Sequence, residues 1–501
     1  GQAKSPVVAG SVLNEPTQEF PATALQSLHA ARFFVTASST VDLPKSHRYL
    51  AAQYPKSHYP DAFIEQLVLD EAFKTNKTLQ ELIDENYQSE EMSFIEKLTG
   101  KNSRTLLTNA LKSIEKKIEK GLVIDENQVI LHTGPHHDDI ELAYFPHLHH
   151  LVRSKTIANH FVYCTSGYTS VTSDYLKSCY EKILNRIEPV ALAFREQKID
   201  SLFTSEYQDD ITLYLRGIAQ QDISVQDYAV ARRLARKWVE YGKYSDTEEL
   251  KQFVLSQVDL IDKLETGRKE PDEFHLAKGW LREFEAELVW AHFGLGCNRV
   301  NHLRLPFYSD DIFPHYPDFE HDVRPILELL DRVKPTIISL ALDPEGSGPD
   351  THFKTLIALS QAIDVYQQTH PEINLRIWGY RNVWSQFPIS EVNTLIPISL
   401  NSFAVIKSMF NTCFLSQRSA DFPSYRHEGA FSELAQMNWV SQHNDIRKLL
   451  GEKYFYNSER QMLRRAYGFI YLKEMSYAEF KDYMVPVKRL LEIKQTMQEN
   501  S

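Results

Sequence analysis

Glycine is scarce in this chain. It supplies 18 of 501 residues, roughly half its usual share of about 7%, so a helix-rich fold with few tight hairpins is expected. Cysteine is scarcer still. The four residues Cys164, Cys179, Cys297 and Cys413 are scattered with no CxxC pair, which argues against a disulfide framework and against cysteine-held zinc. They read as reduced, mostly buried thiols. No apolar run approaches the roughly 20 residues of a membrane span, and Gly1-Gln2-Ala3-Lys4-Ser5 does not lead from a basic flank into an apolar core as a signal peptide does. Excess positive charge is lacking too. The formal net charge is -12, which argues against a nucleic-acid partner, because phosphate contacts need clustered lysine and arginine. A cytoplasmic protein with no membrane attachment is the expectation.

At this length two to three domains are expected. Up to about Thr99 the chain alternates apolar segments with turns. Val7–Ala9 and Arg32–Thr36 read as short strands, Pro21–Gln26 as a helix start, and Ile64–Lys77 carries helical spacing. Lysine and glutamate dominate Lys101–Glu126, which reads as an exposed helix, so that residues 100–128 form a connector. A second unit, 129–401, opens on the apolar run Val129–Thr133. Further buried strands are expected at Phe161–Cys164, Thr336–Leu342 and Leu375–Trp378, each beside helical periodicity. That is the signature of an α/β fold: a mostly parallel, Rossmann-like sheet flanked by helices. Thr172–Leu276 has no strand-like run and reads as a large helical insertion between two strands. Residues 402–501 read as a helical C-terminal extension.

The chemistry concentrates where Val129–Thr133 runs into Gly134-Pro135-His136-His137-Asp138-Asp139. Ligands of open α/β sheets collect at the carboxyl ends of strands. His136 and Asp139 can converge on one ion from a tight loop, as imidazole and carboxylate do in catalytic zinc sites. Asp138 can then face the attacking water as general base. The plainer reading is that the two aspartates cap the following helix. A third ligand decides between them, and His352 offers one, because the loop Asp343–Thr351 also leaves the end of a strand.

Together these loops resemble a known family. Pro135-His136-His137-Asp138-Asp139 is similar to the Pro/Ala-His-Pro-Asp-Asp signature of the PIG-L/LmbE-type N-deacetylases, which remove acetyl groups from N-acetylglucosaminyl substrates with one zinc ion. The resemblance implies that His136 and Asp139 are metal ligands and Asp138 the general base. It makes His352, in Gly348-Pro349-Asp350-Thr351-His352, the last histidine of the family's His-Pro-Asp-His motif and the third ligand. Arg282-Glu283-Phe284-Glu285, before Phe293-Gly294, resembles the family's Arg-x-x-Glu helix and implies that Arg282 faces the substrate sugar or phosphate. A solvated helix face is the alternative for that segment.

Two positions depart from the family pattern. His137 stands where proline is usual, and Pro349 (or Gly348, if Thr351 is an insertion) where the motif's first histidine would stabilise the oxyanion. Loss of one such donor typically costs about a hundred- to a thousandfold in rate. His132, Tyr380 and Arg381 are the candidate substitutes.

Glu15-Pro16-Thr17, Phe20–His29 and Val35–Ser39 resemble the final part of a glucosamine-6-phosphate deaminase domain. Residues 1–99 are accordingly expected to be a remnant of one, without its catalytic groups. The histidines His147, His149 and His150 read as a surface feature or as a support behind the site, at a helix start, rather than as a second metal site. Trp378–Trp384 reads either as the wall of a sugar pocket or as core. The expectation overall is a zinc-dependent hydrolase, another first-row divalent ion serving equally, that removes an N-acetyl group from an N-acetylglucosamine-type amino sugar. The expected partner is that small molecule, with no nucleic acid and no membrane, and a homo-oligomer is compatible with this. The alternative is a sugar-sensing or scaffold protein that retains the metal site.

Overall fold

The computed structural model describes residues 60–189, 205–242, 244, 246–265, 268–309, 315–344, 350–418 and 429–499. The strands and helix expected before Tyr59, and Pro349, lie outside the described residues. The strands are β1 (Val129–Gly134), β2 (Ala158–Tyr163), β3 (Val300–His302), β4 (Ile337–Ala341), β5 (Arg376–Tyr380), β6 (Thr394–Ser399) and β7 (Ala466–Ser476). They form one sheet in the order β3-β2-β1-β4-β5-β7-β6. The first five are mutually parallel, and β7 runs antiparallel to both β5 and β6. Helices cover the sheet, so its parallel strands are buried on both faces and read as continuous apolar runs. All five residues of β4 are buried, as are five of the six in β1.

Three expectations need correction. The C-terminal region is not wholly helical, because β7 inserts between β5 and β6 and completes the sheet. Its stretch Phe469-Ile470-Tyr471-Leu472 is buried, whereas Tyr467, Lys473 and Glu474 are not, so the apolar pattern breaks at both ends. The second correction concerns the lysine-rich segment. Helices α1 (Asp61–Thr75), α2 (Leu79–Asp84), α3 (Glu90–Thr99) and α4 (Ser103–Gly121) precede the sheet. Helix α4 buries Leu106, Leu107, Ala110, Ile114 and Ile118 and ends against β6. A Cβ on Gly121 would lie 2.0 Å from the Leu395 carbonyl oxygen, so only glycine permits this approach. The helix is therefore packed, not an exposed connector.

The third correction concerns the surface reading of the histidine patch. Helix α5 (Asp139–Leu151) follows β1, and Pro146 lies inside it, beyond a kink at Tyr144. His147 and His149 are buried and only His150 is exposed.

The insertion between β2 and β3 is helical as expected. It comprises α6 (Ser173–Leu184), α7 (Ser205–Gln220), α8 (Ile223–Gly242), α9 (Thr247–Lys263) and α10 (Asp272–His292). Asp210 gathers Arg232, Arg233 and Arg236 at 3.1, 3.4 and 3.1 Å. Buried charges persist only when paired in this way. Among the described residues no helix is long and apolar enough to cross a membrane.

The sheet order fixes where a site can form. From β1 the chain passes to β2 on one side, while β4 joins on the other. Loops leaving the carboxyl ends of β1 and β4 therefore part, and the crevice between them is where ligands of open α/β sheets bind.

Candidate active site

The loop after β1 does not use its aspartates as helix caps. Asp138 holds the N-cap position of α5 but makes no side-chain capping bond. Asp139 Oδ2 instead accepts from the His136 backbone N–H at 2.7 Å, which folds the loop back on itself. Its Oδ1 accepts from Asn382 Nδ2. Asp139 is thus held from two sides.

His136 and His352 are held alike. Thr165 Oγ1 donates to the Pro135 carbonyl at 2.8 Å, so its lone pair faces His136 Nδ1, also at 2.8 Å. That makes Nδ1 the protonated nitrogen of His136 and leaves Nε2 bare. His352 is the third residue of helix α11 (Asp350–Thr369), after the loop leaving β4. Its Nδ1 donates to Asp343 Oδ2 at 2.8 Å, because a carboxylate can only accept. Asp343 Oδ1 accepts from the Asn382 N–H at 2.9 Å. His352 Nε2 lies 3.4 Å from Asp139 Oδ2. Two ligands of a tetrahedral zinc ion, each about 2.0–2.2 Å from it, are separated by roughly this distance.

Metal-ligating histidines characteristically have their second nitrogen tied in this way. The donor set therefore fits a divalent ion, with one reservation of geometry. Among the described residues, the trio whose ligand atoms all lie within 4.8 Å of one another is His315, Asp318 and Asp322. His136 does not close such a trio with Asp139 and His352, so its ring must move inward for one ion to be shared.

The His315 group has ordinary structural duties. Asp318 accepts from the His321 N–H at 2.8 Å, and Asp322 accepts from the Asp318 and Phe307 N–H groups at 2.9 and 3.2 Å.

Arg282, in the middle of α10, reaches the same place. It is 1% exposed, so the solvated-face reading fails. Its Nη2 lies 3.3 Å from Asp138 Oδ2 and its Nη1 3.1 Å from Glu285 Oε2. Glu285 is fixed in turn by the backbone and hydroxyl of Ser416 at 2.6 and 2.9 Å. His136, Asp138, Asp139, Arg282 and His352 all line one cavity of about 180 Å³. Thr169, Ser170, Tyr308, Asn382, Trp384, Gln417 and Phe431 line the rest of its polar and aromatic wall.

No family model matches this chain, and no solved structure matches it. It is 28% identical over 156 residues to a glucosamine-6-phosphate deaminase-like protein of Bacteroides thetaiotaomicron. That similarity covers 30% of this chain and 22% of the relative. The chain thus spans about a fifth of the relative's length in the match.

Burial sets the charges around the cavity. It pushes Asp139 up to about 7, helped by Asp138 and Asp343 and opposed by His352. Burial alone would lower His352, but Asp139 and Asp343 outweigh it and raise the imidazole to about 9. His136 has no such carboxylate partner. Burial, with His352 and Arg282 nearby, holds it well below its ordinary value.

The proposed oxyanion substitutes do not reach the cavity. His132 is buried between Tyr144 and Asn159, each 3.0 Å away. Tyr380 donates to the Thr133 carbonyl at 2.7 Å. Arg381 is spent on Gln386 O at 2.9 Å and Glu391 at 3.2 Å. Trp378 is core, whereas Trp384 of the same run lines the cavity. His137, in the family's proline position, is fully buried. Its ring stacks on Tyr163 at 4.9 Å, and its Nε2 meets His302 Nδ1 at 3.3 Å. Sequence reasoning missed Thr165, Tyr308 and Gln417, and it named Asp343 only as a strand's end and Asn382 only within the run Trp378–Trp384.

Proposed function

We propose that the protein is a metal-dependent hydrolase that removes the N-acetyl group of an N-acetylglucosamine-type amino sugar, with zinc as the metal. One observation carries the reading. Two imidazoles with Nδ1 already engaged, Asp139, and the uncapping carboxylate of Asp138 share one cavity. The PIG-L/LmbE-type signature supplies the reaction class, and the deaminase-like relative points to an amino-sugar substrate.

His136, Asp139 and His352 would hold the ion. Bound there, zinc would polarise the acetamide carbonyl and acidify the attacking water. Asp138 takes a proton from that water as its oxygen bonds to the carbonyl carbon. The same carboxyl then gives the proton to the nitrogen as the C–N bond breaks, releasing acetate and the free amine. Arg282, 3.3 Å from Asp138, orients the carboxylate and sets a positive charge beside it. None of His132, Tyr380 and Arg381 lines the cavity to replace the family's oxyanion donor, so turnover is expected to be modest.

The test is zinc content and acetate release from N-acetylglucosamine derivatives. About one zinc per chain is expected. Asp138→Asn should keep the zinc and lower acetate release by about a hundred- to ten-thousandfold. His352→Ala should lose the zinc. Acetate release unchanged in the Asp138 variant would refute the mechanism, and zinc unchanged in the His352 variant would refute the ligand set.

A further inference from the structure

The cavity walls bear on whether the sugar carries a phosphate. The name of the deaminase-like relative suggests that it does, yet the wall chemistry points the other way. Among the described residues that line the cavity, Arg282 is the one lysine or arginine. Its two terminal nitrogens are already committed, Nη2 to Asp138 at 3.3 Å and Nη1 to Glu285 at 3.1 Å. A phosphate would find only the Nε–H of that guanidinium uncommitted, unless it displaced Asp138, the proposed base. It would also face the carboxylates of Asp138 and Asp139, and like charges at close range are disfavoured.

What the wall does offer suits a neutral polyol. Arg282 Nε is buried and has no hydrogen-bond partner. It lies 3.8 Å from where a side chain on Gly167 would begin, and Gly167 and Arg282 line the cavity together. A single buried N–H beside such a gap matches one carbonyl or hydroxyl oxygen. Thr169 and Tyr308, bonded to each other at 2.6 Å, Ser170, which donates to the Gly167 carbonyl at 2.9 Å, and Gln417, which donates to the Ser170 carbonyl at 2.8 Å, add the remaining capacity of their hydroxyl and amide groups. Trp384 and Phe431 stand nearly perpendicular, 79° apart with ring centres 6.4 Å from each other, and Trp384 is partly exposed. An aromatic face at a rim is suited to the apolar face of a pyranose ring. The volume, about 180 Å³, falls below the roughly 300–1,000 Å³ of common ligand pockets. It suits one sugar residue better than a long glycan.

We infer that the cavity selects a neutral, unphosphorylated N-acetylamino sugar or its small glycoside, with Trp384 as the stacking face. The inference rests on the hydrolase reading for its reaction but on the wall alone for its selectivity. The test uses the full chain loaded with zinc and two probes, the methyl glycoside of N-acetylglucosamine and N-acetylglucosamine-6-phosphate. Binding is followed by calorimetry and turnover by acetate release.

The expected result is tighter binding and a higher kcat/KM for the methyl glycoside, by tenfold or more. Trp384→Ala should raise its KM roughly two- to tenfold, as loss of one aromatic contact does, with kcat within twofold. Trp384→Phe should restore most of the difference. Equal or better binding and turnover of the phosphate would overturn the inference and leave the hydrolase standing. Selective binding of the neutral sugar with no acetate released would keep the inference and remove the hydrolase. Binding of neither probe would overturn both.

Discussion

Asp343 touches no expected substrate, yet its substitution by asparagine should cripple metal binding. The carboxylate accepts twice, from His352 Nδ1 at 2.8 Å and from the Asn382 N–H at 2.9 Å. An amide of the same shape has only one accepting oxygen. If the new oxygen faces Asn382, its NH₂ faces His352 Nδ1 and drives the imidazole proton to Nε2, the nitrogen that must be bare for a metal. If the oxygen faces His352, two N–H groups oppose each other at Asn382, beside the Asn382 side chain that holds Asp139.

Either arrangement damages one ligand. Loss of an outer partner of this kind typically lowers metal affinity about 10- to 100-fold, roughly 1.4–2.7 kcal/mol. Chelator competition at pH 7 measures the affinity directly. The metal-free stability should change less, because the pair His352–Asp139 at 3.4 Å persists. A zinc affinity for Asp343→Asn within twofold of the parent would refute the assignment of His352 Nε2 as a ligand.

Two further predictions address the fold. Gly121→Ala places a methyl group 2.0 Å from the Leu395 carbonyl oxygen. Overpacking of this severity should cost about 1–3 kcal/mol or more in denaturant unfolding, and a variant as stable as the parent would show that α4 does not rest on β6. The other concerns pH. Burial holds His132 at about 4 in the folded chain, against about 6.5 unfolded. Between these values only the unfolded state takes up the proton, so its contribution is complete above pH 6.5 and is lost as pH falls towards 4. Lowering pH from 7 to 5 should remove roughly 2 kcal/mol through this group. His132→Phe should flatten the slope by about that amount, and an unchanged slope would contradict the assignment.

The parallel core was legible because its strands are apolar runs closed by glycine or aspartate. β7 was not. Its sequence Ala466–Ser476 carries Lys473 and Glu474 near its end and sits among amphipathic helices, and only pairing with β5 and β6 makes it a strand. His136, Asp139 and His352 were legible because each sits in a loop that leaves a strand run. Thr165 and Asn382 belong to no motif, and tertiary structure alone joins them to the site.

A simple positional regularity nevertheless covers them. β1, β2, β4 and β5 end at Gly134, Tyr163, Ala341 and Tyr380, and the residues two places on are His136, Thr165, Asp343 and Asn382. Adjacent parallel strands in register end at one level, so their first loop residues meet there whatever their separation in sequence. Asp139 and Asn382 are 243 positions apart and still bonded.

The same logic gives the helical insertion a part in the site. β3 ends at His302, whose ring meets the site loop through His137 at 3.3 Å. On its other side, His302 Nε2 lies 3.4 Å from Glu287 on α10, and Glu287 holds Arg233 of α8 at 2.6 Å. Arg233 reaches Asp210 of α7 at 3.4 Å. Every member of this chain is largely buried, so removing one leaves its neighbour without compensation in a low-dielectric interior. Breaking such a buried pair typically costs 3–5 kcal/mol. Arg233→Met should therefore destabilise the chain by about that amount and, because His137 lies at the end of the relay, also weaken zinc binding at temperatures where the protein is still folded. Stability lost with zinc affinity untouched would reduce the relay to packing. Loss of both would mean that the insertion positions the loop that carries His136 and Asp138.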